Sequence, residues 1–414
     1  MAKSAFQHLD EEAKALHDSW DHIGRLVLVV TLVAAVVWGA CTALRLVVHE
    51  TSHLVLEHAQ EGLAGGAILL FVLAVAGIVR GLLLRNDPAW KDAAGDGMNV
   101  ALENYHVTYV HDGDDPQPRY SRPAFALAAR KALFTVLTLG SGGSGGLEAP
   151  TVLTAEALSS GIARVMQVRS EHELRTYQLA GIAAAVSTLL GAPFTAALFA
   201  TEIAYGDRII YRKLAYALWA GVVAYILSNR LNGYVPLFPA PEHGATYAIE
   251  EYAATTLVAV AVSAPAAMAF GLAMANASKV AERVPPVFQG GATAVAAGLV
   301  ALALWWGLGI EPHHVLGMGE ATMHDLLSGE GHLSMWWVLL ALMGGKLATT
   351  ALTLSGGGSA GLLVPSMYIG AVSGALVAGI LDVTGVMPDL DPALFAVVGL
   401  ASSLVAVIGV PLAA

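Results

Sequence analysis

The sequence predicts an all-α, polytopic membrane protein built from two inverted-topology repeats, and three observations carry that prediction. The first is composition: 56% of the 414 residues are hydrophobic and 13% are charged, with a mean hydropathy of +0.64, a balance outside the soluble range. The second is run length. Crossing about 30 Å of hydrocarbon takes roughly 20 apolar residues, and uncharged runs of that order occur at Leu26–Leu44, Gly62–Val79, Tyr252–Ser278 and Gly290–Ile310. The third is a sentence written twice. KALFTVLTLGSGGSGGLEAP from Lys131 to Pro150 recurs as KLATTALTLSGGGSAGLLVP from Lys346 to Pro365, at a constant offset of 346 − 131 = 215. Gly181, Gly191 and Pro193 recur in the same way as Gly399, Gly409 and Pro411, at an offset of 399 − 181 = 218.

Residues 1–25 come first and are polar. Phe6, Leu9, Ala13, Leu16 and Trp20 recur at three- and four-residue spacings among Asp10, Glu11, Glu12 and Lys14, which predicts an amphipathic helix on the membrane face. The segment has no apolar core ending in small residues, so it is not a secretory leader. The first membrane repeat then occupies 26–232. Residues 233–251, GYVPLFPAPEHGATYAIEE, are rich in Gly, Pro and charge and read as the linker. The second repeat occupies 252–414. Within it Leu347–Leu381 exceeds one span and is interrupted at Gly356–Gly358, Gly361 and Pro365, so it reads as two helices joined at membrane depth. Such a joint is tolerable only where the open backbone faces protein or a wet cavity. The second repeat stops about two helices short of its twin, and the missing helices are expected beyond residue 414.

The breaks are where chemistry belongs. In duplicated membrane proteins, Gly/Pro interruptions at corresponding places mark the substrate site. Each break creates a helix N-terminus, whose amides lack intrahelical partners and whose dipole is positive, so an anion binds there without a charged side chain. Pro150 and Pro365 suit a first helical turn. The amides of Gly146, Leu147, Glu148 and Ala149, and of Gly361, Leu362 and Leu363, are therefore the expected anion ligands. Close packing of small-residue helix faces is the bland reading of one GGSGG run; its appearance twice, each ending in Gly-X-X-X-Pro, favours the ion site.

One chemical asymmetry separates the copies. Glu148 stands where the second copy has Leu363, and it is the sole ionisable group between Lys131 and Glu156. An acid inside a membrane costs several kcal/mol and faces the transport path by default. A carboxylate at a helix N-terminus can occupy the anion's place, leave when an anion arrives, and carry a proton. Glu148 is thus the expected gate; a plain helix cap is the alternative.

The net charge of −11 and a pI near 5.6 speak against nucleic acid as a partner. Cys41 is the lone cysteine, so there is no disulfide framework. No Cys/His spacing of a metal site and no phosphate-binding loop is present, and the adjacent His313 and His314 read as loop histidines. No cofactor, metal or catalytic residue is expected. A membrane-embedded hydrolase would need a Ser/His or Asp pair on facing helices, and the sequence offers none.

With these residues in view, the chain resembles the CLC family of chloride channels and proton-coupled anion exchangers, in a divergent prokaryotic form without cytosolic nucleotide-binding domains. Gly146-Leu147-Glu148-Ala149-Pro150 resembles the family's Gly-Arg-Glu-Gly-Pro gate motif. Gly361-Leu362-Leu363-Val364-Pro365 resembles its Gly-x-Phe-x-Pro motif. Gly95-Asp96-Gly97-Met98-Asn99 sits where the family has Gly-Ser-Gly-Ile-Pro, and Leu190 through Glu202 resembles its Asn-Ala-Pro-Leu-Ala stretch. The resemblance implies a homodimer with one pathway per subunit, in a bacterial plasma membrane, passing a small anion and, in the exchangers, protons. It adds Asp96, Gly97 and Met98 to the anion site. It also implies departures. Asp96 replaces the family's serine ligand and would repel a bound anion if ionised and unshielded, unless it caps the following helix or alters selectivity. Ile203, beside Glu202, replaces the exchangers' inner proton-transferring glutamate and cannot carry a proton. A non-halide anion, with altered or absent proton coupling, is the competing expectation.

Overall fold

The computed structural model describes residues 2–107, 122–168, 170–206, 210–233, 249–328, 335–385 and 392–414. Most of the expected linker, 234–248, lies outside them. The first half contains α1 (Ala2–Ala59), α2 (Gly62–Asn86), α3 (Met98–Val107), α4 (Ala124–Thr135), α5 (Glu148–Val165), α6 (Glu171–Leu190), α7 (Pro193–Tyr205) and α8 (Tyr211–Asn232). The second contains α9 (Ile249–Ala281), α10 (Pro286–Leu308), α11 (Pro312–Val315), α12 (Glu320–Ser328), α13 (Trp336–Ser355), α14 (Leu363–Val383) and α15 (Pro392–Ile408). The polar N-terminal residues run on without a break into the first span as one helix, α1. Among the described residues the sole β-type pairing is between Gly146 and Gly361. The fold is all-α, as the composition predicts.

Among the described residues seven helices are long and apolar enough to cross a membrane: α1 from His22, α2, α8, α9, α10, α13 and α14. Their outer faces carry exposed Leu28, Phe71, Leu82, Val260 and Leu272, surface that needs lipid rather than water. Inside this ring lie α5 and α6. From Leu174 on, α6 is buried except at Arg175 up to Leu189. Its Ala, Gly, Ser and Thr side chains let neighbouring backbones approach closely. The same device brings Gly77 of α2 against Gly290 of α10, and Gly370 of α14 against Gly399 of α15. Hydroxyls in the interior bond back to the preceding turn, as Thr154 does to the Pro150 carbonyl (2.9 Å) and Thr188 to that of Ala184 (2.7 Å), so few polar groups remain unpaired away from water.

Both breaks fold as expected. After α4 the chain widens into a π-turn at Val136–Gly140, a geometry common beside functional sites. It then turns at Gly142, where φ is +94°, and restarts at α5. In the second half α13 ends at Ser355, the chain turns at Gly357 with φ +75°, and α14 restarts. Positive φ is where only glycine is comfortable. Gly191 and Gly409, the other repeated pair, end α6 and α15 alike: their amides donate to Ser187 O at 3.0 Å and Val405 O at 2.9 Å.

Candidate functional site

The two breaks are tied together by bonds that obey the repeat. The Gly146 amide donates to the Gly361 carbonyl at 2.8 Å, and the Gly361 amide donates to that of Gly146 at 2.7 Å. The Thr138 hydroxyl accepts from the Ser359 amide (2.9 Å), and its twin Thr353 accepts from the Ser144 amide (3.1 Å). Thr135 shares a hydrogen bond with the Ser359 hydroxyl, and Thr350 shares one with that of Ser144, both at 2.9 Å. Each pair exchanges under the offset of 215 (138 + 215 = 353, 144 + 215 = 359). Reciprocal bonds between corresponding residues are what a local two-fold axis produces.

This knot refines the expected ligand set. The amides of Gly146 and Gly361 are spent on each other and are not open to an anion. The open N-termini begin one residue later. On α5 the first amide bonded within the helix is Thr151, to Leu147 O (3.1 Å), and on α14 it is Ser366, to Leu362 O (2.8 Å). That leaves the amides of Leu147, Glu148 and Ala149 in one half and of Leu362, Leu363 and Val364 in the other unbonded within their helices. The side chains of Leu147, Ala149 and Leu363 are buried, so apolar groups wall the two helix starts.

Glu148 lies at both helix starts. It is 2% exposed. Its Oε2 is packed against Gly146, its carboxyl faces its own amide and that of Val364, and Oε2 has no hydrogen-bond partner. A side chain on Gly146 would collide with the carboxyl. The carboxyl therefore sits at the amides of both halves at once.

Asp96 is placed differently. Its Oδ1 accepts the Met98 amide at 3.1 Å, and the Gly97 carbonyl accepts from Ala101 (3.0 Å), so Asp96 closes the start of α3. Gly97 abuts Leu153 of α5, five residues past Glu148, and Met98 packs against the main core. Ile203 packs against the same core. Glu202 accepts amides from Leu412 and Ala413 at 3.1–3.2 Å, which occupies its carboxylate.

Among the described residues three buried basic side chains lie around the knot, and the sequence gives none of them a functional mark. Lys131, 0% exposed, donates to the carbonyls of Gly95 (2.7 Å) and Ala93 (3.2 Å). Lys346, also 0% exposed, donates to Gly317 O at 2.8 Å. Arg80, 2% exposed, donates to the Thr138 hydroxyl at 2.8 Å and leaves its Nε without a partner. The two lysines hold matching turns: Gly95-Asp96-Gly97 before α3 and Gly317-Met318-Gly319 before α12, with all four glycines at positive φ. These twin turns fall outside the constant offset, because Gly95 and Lys131 are 36 residues apart (131 − 95) and Gly317 and Lys346 only 29 (346 − 317). The Gly-X-Gly spacing itself was the available signal.

With this geometry, the chain can be set beside known proteins. A sequence profile described as voltage gated chloride channel matches residues 71–414. Chloride channel protein CLC-f of Arabidopsis thaliana is 26% identical over 300 residues, covering 68% of this chain and 37% of that protein. A ClcB-like chloride channel protein of Ralstonia nicotianae is 27% identical over 357 residues, covering 83% of this chain and 75% of that one. Voltage-gated ClC-type chloride channel ClcB of Escherichia coli is 24% identical over 258 residues, 61% of this chain and 57% of its own. The chain thus spans little more than a third of the Arabidopsis relative. Among solved structures, a slow cyanobacterial Cl−/H+ antiporter superposes with a TM-score of 0.76 at 16% identity, over 94% of this chain and 87% of its own. A CLC-type fluoride/proton antiporter superposes at 0.70 with 20% identity, over 93% and 87%. These two likenesses establish the shared fold.

Proposed function

The chain belongs to the voltage-gated chloride channel family, and on that premise we propose that it carries a small inorganic anion across the membrane through a site made of backbone amides, with Glu148 as its gate. One observation carries the reading: a Glu148 carboxyl that faces amides of both halves, its own and that of Val364. A carboxylate in that position is a resident stand-in for the transported anion, since both satisfy the same N–H groups and helix dipoles. Protonation removes its charge and lets the side chain leave, and an anion takes the place. The ligands are the amides of Leu147, Glu148 and Ala149 and of Leu362, Leu363 and Val364. Arg80, Lys131 and Lys346 brace the surrounding backbone, on the Thr138 hydroxyl and the carbonyls of Gly95 and Gly317.

A halide is the leading substrate; the relatives named above are chloride channel proteins and the superposed antiporters move chloride or fluoride. A second reading, a non-halide anion with altered or absent proton coupling, draws on Ile203 in the apolar core and on Glu202, engaged with the amides of Leu412 and Ala413. Isoleucine carries no proton, and the Glu202 carboxylate is turned to those two amides. The working unit in this reading is a homodimer with one pathway per subunit and no enzymatic step. Purified protein in liposomes tests the proposal: flux of chloride, nitrate, fluoride and bicarbonate is followed together with proton movement. Anion flux in any of the series supports the reading, and protein that is folded yet passes none of them contradicts it.

A further inference from the structure

Glu148 is shut away, yet a gate worked by protonation needs a supply of protons. A cavity of about 360 Å³ opens close by, between the last turns of α1 and the loop before α12, lined among others by His49, His53, His313, Gly317, Gly319 and Glu320. Its floor touches the knot: the Gly145 amide donates to the Gly317 carbonyl at 3.1 Å, and Gly145 adjoins Gly146, against which Glu148 Oε2 is packed. Glu320 opens α12 at that floor, half-buried. The charged groups whose fields reach the Glu148 carboxyl are Glu320 and Arg45.

Resting on the gate reading above, we propose that this cavity is the wet approach to Glu148 and that Glu320 is the acid that relays protons from it to the gate. Glu320 takes a proton from hydronium in the cavity, leaving water. It then passes that proton to the Glu148 carboxylate, directly or through one water, and is itself left ionised. Nothing else is consumed. The surroundings suit the task. Lys346, buried beneath the turn, donates to Gly317 O at 2.8 Å and so fixes the turn from which α12 and Glu320 start. Across the cavity α1 presents His49, His53 and Glu57, with His53 Nδ1 3.3 Å from Glu57 Oε2. The loop presents His313, whose Nδ1 lies 3.2 Å from Glu311 Oε2. These side chains give water in the cavity both hydrogen-bond donors and acceptors. The relay acid has no counterpart in the first half, where the residue after Gly97 is Met98.

The test is a rapid acidification of proteoliposomes with anion flux as the readout, on wild type, Glu320→Gln, Glu320→Asp and the double variant Glu148→Gln/Glu320→Gln. Glutamine keeps shape and hydrogen bonding but carries no proton. Flux in Glu320→Gln should respond about tenfold more slowly than in wild type or worse, Glu320→Asp should fall between them, and the double variant should match Glu148→Gln. A Glu320→Gln response as fast as wild type overturns the relay. Should Glu320→Gln fail to yield folded protein, Glu320→Asp decides alone, and wild-type speed there overturns the proposal. If Glu148→Gln itself keeps its pH response, the gate reading fails and the relay falls with it.

Discussion

Gly146 and Gly361 each give an amide hydrogen to the other's carbonyl, at 2.8 and 2.7 Å, although 215 residues of chain separate them (361 − 146). That exchange fixes the distance between the two broken helices. It also takes the first glycine of each motif out of the set of amides open at the helix starts.

The joint should be sensitive to its hydroxyls, and unequally so. Thr353→Val leaves the Ser144 amide buried without its acceptor, at a cost of about 1–3 kcal/mol. Thr138→Val strands two donors, the Ser359 amide and the Arg80 guanidinium. Thermal unfolding in detergent should therefore show Thr138→Val as clearly the less stable of the two. Equal losses would mean that Arg80 draws nothing from Thr138.

Asp96 should behave as a helix cap. Serine also accepts a backbone amide at a helix start, so Asp96→Ser is expected to leave stability and anion selectivity as they are, while Asp96→Ala costs about 1 kcal/mol. A changed selectivity or changed proton movement in Asp96→Ser would restore Asp96 to the transport path.

Acid should loosen the loop before α12 through His314. Its Nδ1 pairs with the Thr322 hydroxyl at 2.9 Å, and burial, then the neighbouring His313, pushes its pKa down from 6.5 to about 4. The unfolded chain binds this proton near pH 6.5 and the folded one only near pH 4, so stability is whole above 6.5 and falls between those limits. His314→Asn, which can keep an acceptor for the threonine without titrating, should flatten the unfolding temperature over that window. A wild-type pH slope in the variant would assign the acid sensitivity elsewhere.

How much of this was legible beforehand depended on what each feature needs. The spans and the helix breaks at Gly142 and Gly357 were legible because hydropathy and glycine are local properties. The repeat made Lys131 and Lys346 visible as twins, but not their task, since a lysine that binds carbonyls of a turn dozens of residues away leaves no local mark. Arg80 leaves no local mark either, because nothing in its sequence neighbourhood foretells Thr138 as its partner. The sequence points the amides of Gly146 and Gly361 at an anion, and only the three-dimensional pairing turns them to each other. Glu320 was missed for a related reason: its turn is the twin of Gly95–Gly97 at a different spacing.

The central claim is that one carboxyl, Glu148, closes a site otherwise made of backbone amides. Anion flux into proteoliposomes, measured across a pH series for wild type and Glu148→Gln, tests it most directly. The account predicts wild-type flux that rises as the pH falls and a Glu148→Gln flux that is open and independent of pH, since glutamine mimics the protonated acid. A Glu148→Gln protein that keeps the wild-type pH dependence would contradict it.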